Sequence, residues 1–392
     1  MGSTTPPRER PRRARTPRAR DVPATSRGVR LRRIAAGAAI LVLIPAFVSF
    51  ASMATRPSNT ALGIRTVEWL RENGAGEIVA DVESVYYSLT APSKGGPALR
   101  ALPSVGFAAH PNAGAARSDI GRPPDVRPML HPALRGEGVW RATRPGFQGP
   151  PPVFITTIRD QPEYPRVVAG LAWIDPHRTS VVLYPGREEP AVELPSRGPL
   201  EVPDALRPRL LATFNSAFKL TDSGGGFIYH GHEYAPMRDG GATFVGYRNG
   251  AVNVVAWDHG SAVPHDVWYA RQNLDLTVNQ GRLAPNIENS SAWGATIGNA
   301  VLTWRSAAGI TAHGDLLYAA GEDQSAGSLA RALIRAGAVR AMSLDINPYW
   351  TSFISYGSPG ARAPRNLLPN MERSPYRYLE PDDRDFFAVY ER

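Results

Sequence analysis

"PVFITTIRDQPEYPRVVAGLAWIDPHRTSVVLY", residues 152–184, holds three short runs rich in Val, Ile, Thr and aromatic residues, cut by "RDQPEYP" and "DPHRT". Branched and aromatic side chains suit a pleated, half-buried surface, and clusters of Pro and Asp end strands, so the stretch predicts three successive strands. Runs of the same texture follow at Leu210 to Phe214, Gly226 to Tyr229, Ala242 to Tyr247, Ala251 to Trp257, Ala300 to Trp304, Ala307 to Thr311 and Leu316 to Ala319. One segment of this region reads as helix, "SAGSLARALIRAGA" at 325–338. Ser325 or Ser328 caps it, Leu329, Leu333 and Ile334 form its apolar stripe, and Gly337 ends it. A strand from Val339 to Leu344 comes straight after. Many strands, few helices and no steady βαβ alternation predict an α+β fold built on a mixed, largely antiparallel sheet.

Upstream the composition changes twice. The first 33 residues hold eleven arginines and two acids, a net of +9 that equals the formal charge of the whole chain, so the body from residue 34 onward is neutral. A neutral body argues against a nucleic-acid partner, whose basic groove would have to lie on folded structure. The Pro/Arg-rich tail over 1–33 has too little apolar surface to fold and is predicted to be disordered and cytoplasmic. From 34 to 54 runs "IAAGAAILVLIPAFVSFASMA", 21 residues without a charge. As a helix it would span about 30 Å, the thickness of a bilayer core. A cleaved signal peptide is the competing reading, with Ser52-Met53-Ala54 as its cleavage site. The long basic region before the run and the run's length favour one uncleaved N-terminal transmembrane helix. The arginines then place the N-terminus in the cytoplasm and the rest outside the cell membrane.

Residues 55–90 carry apolar residues at helical spacing, broken at Asn73-Gly74, and predict two short helices. Residues 91–150 hold nineteen Pro and Gly without a sustained period and read as a linker or an irregular wrap over the domain at 151–392. The chain has no cysteine, which removes disulfides and every Cys-based zinc site.

Chemistry-bearing residues concentrate near the end of the last strand of that pattern. "AMSLDINPYWTSF", 341–353, runs from buried strand into an acid, an amide, a proline and a tryptophan. With "RSAAGITAHGD" at 305–315 and the helix at 325–338, it makes an ordered series: Arg305, Ser306, Ala307 and Gly309, then His313-Gly314-Asp315, Leu329-Ala330 to Gly337-Ala338, and Leu344-Asp345. The series resembles the phosphodiester glycosidase family, which includes the enzyme that removes N-acetylglucosamine from a phosphodiester to uncover mannose 6-phosphate. "ATFNSAFK", 212–219, resembles that family's Asn-Gly-x-Phe element through Asn215 and Phe218. The resemblance covers roughly 150–392 and implies a hydrolase acting on sugar-phosphate diesters. The chain departs from the family after the aspartate, where Ile346-Asn347-Pro348-Tyr349 stands in place of Gly-Gly-Gly-Ser. A glycine run lets backbone N–H groups cradle phosphate oxygens, and Pro348 removes one such donor. Either another element supplies the contact, such as "DSGGGF" at 222–227, or the substrate differs.

Cleaving a sugar-phosphate bond needs a carboxylate near an oxocarbenium-like centre and cationic or N–H donors for the phosphate. Asp345 supplies the carboxylate. Arg305 is the expected phosphate fork, its guanidinium matching phosphate oxygens in pairs, and Asn347 either orients the carboxylate or meets the phosphate. The bland readings are a turn cap for Asp345 and a surface ion pair for Arg305. Substrate-binding candidates are Asn215 and Lys219 in "ATFNSAFK", and His230 and His232 on one strand face of "YHGHEY". Arg238 and Asp239 before a Gly pair, Arg271 and Asn273 in "ARQNLDL", and Trp350 as a sugar platform complete the set. No metal and no cofactor is assigned; two histidines without a third ligand do not make a zinc site, and carboxylates leave calcium open. The expectation is a membrane-anchored exported hydrolase whose partner is a glycan or glycolipid phosphodiester. Its rivals are a catalytically silent relative that binds wall glycans and a cell-surface interaction protein using 91–150.

Overall fold

The computed structural model describes residues 2, 27–95, 98–106, 121–144, 147, 149–294 and 302–392, without the side chains of 27, 38–40, 42, 84, 86–88 and 90. The chain divides into two units, Met1–Arg56 and Pro57–Arg392. In the first, Arg27–Thr55 is one helix with Pro45 inside it. It begins within the basic tail expected over 1–33; the remainder of that tail, apart from Gly2, lies outside the described residues. Among the described residues no helix is long and apolar enough to cross a membrane. The side chains of Ala38, Ala39, Ile40 and Val42, central to the uncharged run, lie outside the description. The run over 34–54 is thus a helix in the structure and a membrane span by expectation.

The second unit is built from three sheets. The largest orders its strands Arg141–Ala142, Val153–Ile158, Ala169–Ile174, Leu316–Gln324, Thr303–Thr311, Ala338–Ile346, Leu276–Asn279 and Arg282–Leu283. A second runs His232–Ala235, Phe227–Tyr229, Val267–Gln272, Ala242–Tyr247, Val252–Ala256, and a third Arg362–Asn366, Phe353–Ser358, Leu210–Asn215, Phe386–Glu391, Thr179–Tyr184. Every pairing among the described residues is antiparallel.

The near-continuous apolar runs of the quoted stretch have a physical reason. Val153, Ile155, Ala172 and Ile174 point into the main core, while Phe154, Ile158, Leu171 and Trp173 point into a second core beneath the helix Ala326–Arg335. Alternate residues leave a strand on opposite faces, so covering both faces makes both sets apolar. Ser325 and Ser328 close a reciprocal capping box at that helix's start, and Leu329 and Leu333 are buried. The runs read separately at Ala300 to Trp304 and Ala307 to Thr311 belong to one strand, Thr303–Thr311; Ala300 lies outside the described residues. Arg305 and Ser306 look like a break in sequence but are buried within it.

The three sheets meet at Phe214. Its ring lies 5.1 Å from Phe387 within its own sheet, 6.3 Å from Phe244 of the second and 5.5 Å from Tyr318 of the first. The Pro/Gly-rich segment adds Val105 to the main core and Val126 and Trp140 to the second. The helices Leu62–Leu70 and Gly76–Thr90 are separated by a bend at Asn73 and Gly74 (φ +88°). They are tied down by Asn59 to Asp382 (3.0 Å), by Thr60 to Asp383 (2.7 Å), and by the Ala61 N–H to the Tyr349 hydroxyl (2.8 Å).

Phe387→Ala removes the ring shared by Phe214, Phe244 and Tyr269. It should lower unfolding free energy by about 3–5 kcal/mol in urea titrations, whereas Tyr376→Ala, at a side chain 55% exposed, should change it by about 0.5 kcal/mol or less.

Candidate functional site

Strand Ala338–Ile346 sends Ala338 and Ala341 into the second core and Met342 and Leu344 into the main core, after which Asp345 emerges beside a cavity. The Asp345 main chain is held on both sides: its N–H donates to the Ser216 carbonyl (2.9 Å) and its carbonyl accepts from the Ser306 hydroxyl (2.6 Å). Of its carboxylate oxygens, Oδ1 accepts from the Ile346 N–H (2.9 Å) and Oδ2 from Arg384 Nη2 (2.7 Å). Asp345 is 7% exposed. Burial pushes its pKa up to about 6, against the opposing pull of Arg384. Arg384 lies 4.9 Å over the Trp350 ring; burial works against its charge, but Asp345 and then Glu189 outweigh it and raise its pKa.

The turn after the strand is set by Asn347, which adopts φ +102°. Asparagine tolerates this left-handed region better than most residues. Its side-chain oxygen accepts the Tyr349 N–H (2.9 Å), and its carbonyl accepts the N–H groups of Trp350 and Thr351. Asn347 therefore lines the cavity as the builder of the turn, not as a partner of the Asp345 carboxylate.

The cavity has a volume of about 610 Å³, with Asp345, Asn347, Trp350 and Arg384 on one side and Phe218 and Lys219 on another. The segment 62–90 supplies a further wall through Glu68, Arg71, Glu72 and Glu83. Lys219 pairs with Glu72 (3.0 Å) and Glu68 (3.6 Å), and Arg71 meets both oxygens of Glu83 at 2.6 Å. Burial opposes the Lys219 charge, yet its acidic neighbours, Glu68 first, raise its pKa. Each cation of the cavity already faces a carboxylate, so an anionic ligand must compete for it.

Of the residues singled out in the sequence, Asp345, Asn347, Lys219 and Trp350 share this cavity. The others serve elsewhere. Arg305 is 2% exposed, and among the described residues its guanidinium donates to the Gln324 and Trp293 carbonyls (3.2 and 2.9 Å). Burial lowers its pKa to about 10, and it clamps backbone where a phosphate fork was expected. Asn215 is buried and fully bonded beneath the site. Arg271 forms a fully buried ion pair with Asp385 (2.9 Å) and donates to the Phe218 carbonyl, supporting the cavity from behind. Asn273 donates to the Ser343 carbonyl (2.8 Å), Arg238 pairs with Asp275 (3.4 Å), and Asp239 accepts the Gly260 N–H (2.8 Å).

His230 and His232 do not share a strand face. His230 occupies the hairpin turn with φ +51°, stacked between Tyr229 and Trp268, and His232 begins the next strand. Burial and then His232 lower the His230 pKa. Among the described residues no group of three or more His, Asp or Glu is placed to hold a metal ion, so the calcium expectation finds no ligand set there.

Sequence reasoning missed Arg384. The run "PDDRDFF", 381–387, carried the signal: four consecutive charges entering an apolar strand are either solvated or paired, and all four are buried. Asp382 takes Arg377 (2.7 Å), Asp383 takes Arg187 and Thr60, and Asp385 takes Arg271.

No known family's sequence profile matches the chain, and no curated protein matches it. Among solved structures it is similar to the zebrafish N-acetylglucosamine-1-phosphodiester alpha-N-acetylglucosaminidase catalytic domain auto-inhibited by its pro-peptide. That likeness has 20% identity and a TM-score of 0.41, over 61% of this chain and 82% of that one. A hypothetical protein from Synechocystis is similar at 13% identity and TM-score 0.34, over 62% of this chain and 64% of the other. At TM-scores below 0.5 these likenesses carry no argument about chemistry.

Because Glu72 occupies Lys219, Glu72→Gln should tighten inorganic phosphate binding in calorimetric titrations by about two- to fivefold, the worth of a partly exposed ion pair. Lys219→Met should abolish that gain.

Proposed function

We propose that the chain is an exported, membrane-anchored glycosidase that hydrolyses glycosyl phosphodiesters in a cell-surface glycan or glycolipid. The observation that carries this reading is Asp345: a motif-matched carboxyl at a strand end, lining a cavity beside Arg384 and Lys219. Its pKa of about 6 lets it hold or release a proton near neutrality. In this reading the bond between the anomeric carbon and the phosphate oxygen breaks, and the phosphomonoester leaves with its charge met by Arg384 and Lys219. Asp345, as carboxylate, takes a proton from the attacking water and stabilises the positive charge developing on the sugar ring. Trp350 is 6% exposed, with Arg384, Arg377 and Arg373 at 4.9, 5.5 and 5.8 Å from its ring, and in this reading it frames the cavity and supports Arg384. The anchor rests on the uncharged run 34–54 and the arginine asymmetry before it.

A catalytically silent glycan binder is the second reading. The turn at Asn347 favours it, since the Asn347 N–H is used on the Trp304 carbonyl (3.0 Å) and its side-chain and main-chain oxygens are used within the turn, where the resembled family has a glycine run.

Incubating the full chain with synthetic glycosyl 1-phosphate methyl diesters should release free sugar and methyl phosphate. Asp345→Asn should lower turnover by about 10² to 10⁴ with the fold intact; binding without turnover in the unmodified chain supports the silent reading instead. The base must be deprotonated, so the rate should rise with pH through about 6. Arg384→Met removes the charge that lowers the Asp345 pKa and should move that limb to higher pH. A reporter fused after Arg392 should be active only outside the cytoplasm, and activity inside would refute the orientation.

A further inference from the structure

We infer that Asn215 is the positioning residue of the site: one buried amide that fixes the peptide groups on both sides of Asp345 and so holds its carboxylate in register with Arg384. The inference rests on the reading of Asp345 as the working carboxylate. Asn215 ends strand Leu210–Asn215 in one sheet, and Asp345 lies near the end of a strand in another. Both Nδ2 hydrogens are used, one on the Ser216 carbonyl (2.9 Å) and one on the Ser306 hydroxyl oxygen (2.9 Å). Those acceptors are the two groups that grip Asp345. The Ser216 carbonyl takes the Asp345 N–H (2.9 Å), and Ser306 gives its proton to the Asp345 carbonyl (2.6 Å). By donating to the Ser306 oxygen, Asn215 directs that hydroxyl's single hydrogen toward Asp345.

The amide is itself held in one orientation. Its Oδ1 accepts from the Tyr318 hydroxyl (2.9 Å) and the Ser352 N–H (3.0 Å), which fills its acceptor capacity and fixes which end of the amide points where. The same short segment reaches Arg384, because the Ser216 N–H donates to the carbonyl of Asp385 (3.3 Å), the residue after Arg384. Ser216 therefore grips Asp345 through its carbonyl and the segment that carries Arg384 through its N–H. An aspartate at 215 would have no donors for either arm, and an alanine would free both.

The test uses the full chain with Asn215→Ala, Ser306→Ala and, on the same strand as Asn215, the control Thr213→Val, which removes a buried hydroxyl bond to Tyr356 (3.2 Å) and leaves every Asn215 bond in place. Two readouts are followed: the acid limb of turnover, and the ¹³C carboxyl titration of Asp345, which needs no substrate. Charged groups that set this titration are Arg384, Asp385 and Arg377 near the carboxyl, with Lys219, Glu68, Glu72 and Asp222 around the cavity. With the register lost, Arg384 no longer offsets burial, so both Asn215→Ala and Ser306→Ala should raise the Asp345 titration by about half to one unit. Turnover should fall by about 10- to 100-fold, with KM within about twofold, the cost of small misplacement of a reacting group. Thr213→Val should lower Tm without moving either readout. An unchanged Asp345 titration in both alanine variants, with only Tm reduced, overturns the inference. If Asn215→Ala does not fold, Ser306→Ala alone decides it by the same criterion. If the unmodified chain turns over no glycosyl phosphodiester, the proposed function fails while the carboxyl titration still decides the role of Asn215.

Discussion

The ion pair between Asp345 and Arg384 bridges the ends of two different sheets, and burying it is the demand around which its neighbourhood is organised. Two charges taken out of water cost several kcal/mol unless good geometry and further hydrogen bonds compensate. Compensation comes from the Ile346 N–H on the carboxylate and from the Trp350 ring and Glu189 beside the guanidinium, whereas Asp385 favours the Arg384 charge and opposes that of Asp345. It remains incomplete for the acid, whose pKa stays raised, and among the described residues Arg384 Nε has no hydrogen-bond partner. A carboxyl left partly under-compensated is one that can exchange protons near neutral pH, and the imperfect pairing that costs stability is what the proposed chemistry would draw on.

The same logic spreads outward through "PDDRDFF". Asp382, Asp383 and Asp385 are each buried and each paired with an arginine from a different loop or strand: Arg377, Arg187 and Arg271. These pairs bring the C-terminal strand, the 185–190 loop and the second sheet to one place. The segment before residue 62 is anchored on the same carboxylates through Asn59 and Thr60. One cluster of acids therefore positions both the floor of the cavity and the start of its helical wall.

Strand texture was readable because covering both faces of the large sheet forces nearly every residue of 153–158 and 169–174 to be apolar. The helix 326–335 was readable from Ser325, Leu333 and Gly337, whose roles are local. The strand Phe386–Glu391, an inner strand of the third sheet, has apolar texture but follows four charges, and such a run alone does not separate a solvated segment from a paired one. Of the residues picked out from sequence, Asp345, Asn347, Lys219 and Trp350 line one cavity. Arg305, Asn215, Arg271 and Asn273 instead close their hydrogen bonds on the protein. A buried polar residue and a ligand-binding one share the same sequence signature, a polar side chain among apolar neighbours; only the third dimension shows whether its hydrogen bonds close on the protein itself.

The turn at Asn347 also bears on how the protein ages. Asparagine commonly deamidates when the backbone nitrogen of the next residue attacks the side-chain amide to close a succinimide ring, a step that needs a following N–H. Pro348 has none, so the amide that shapes the cavity rim is shielded from that route. Asn73 and Asn249 are exposed and each is followed by a glycine, the least obstructed neighbour for ring closure. Slow chemical damage therefore adds negative charge at the bend beside Glu72 and at a distant hairpin tip before it reaches the residues around Asp345.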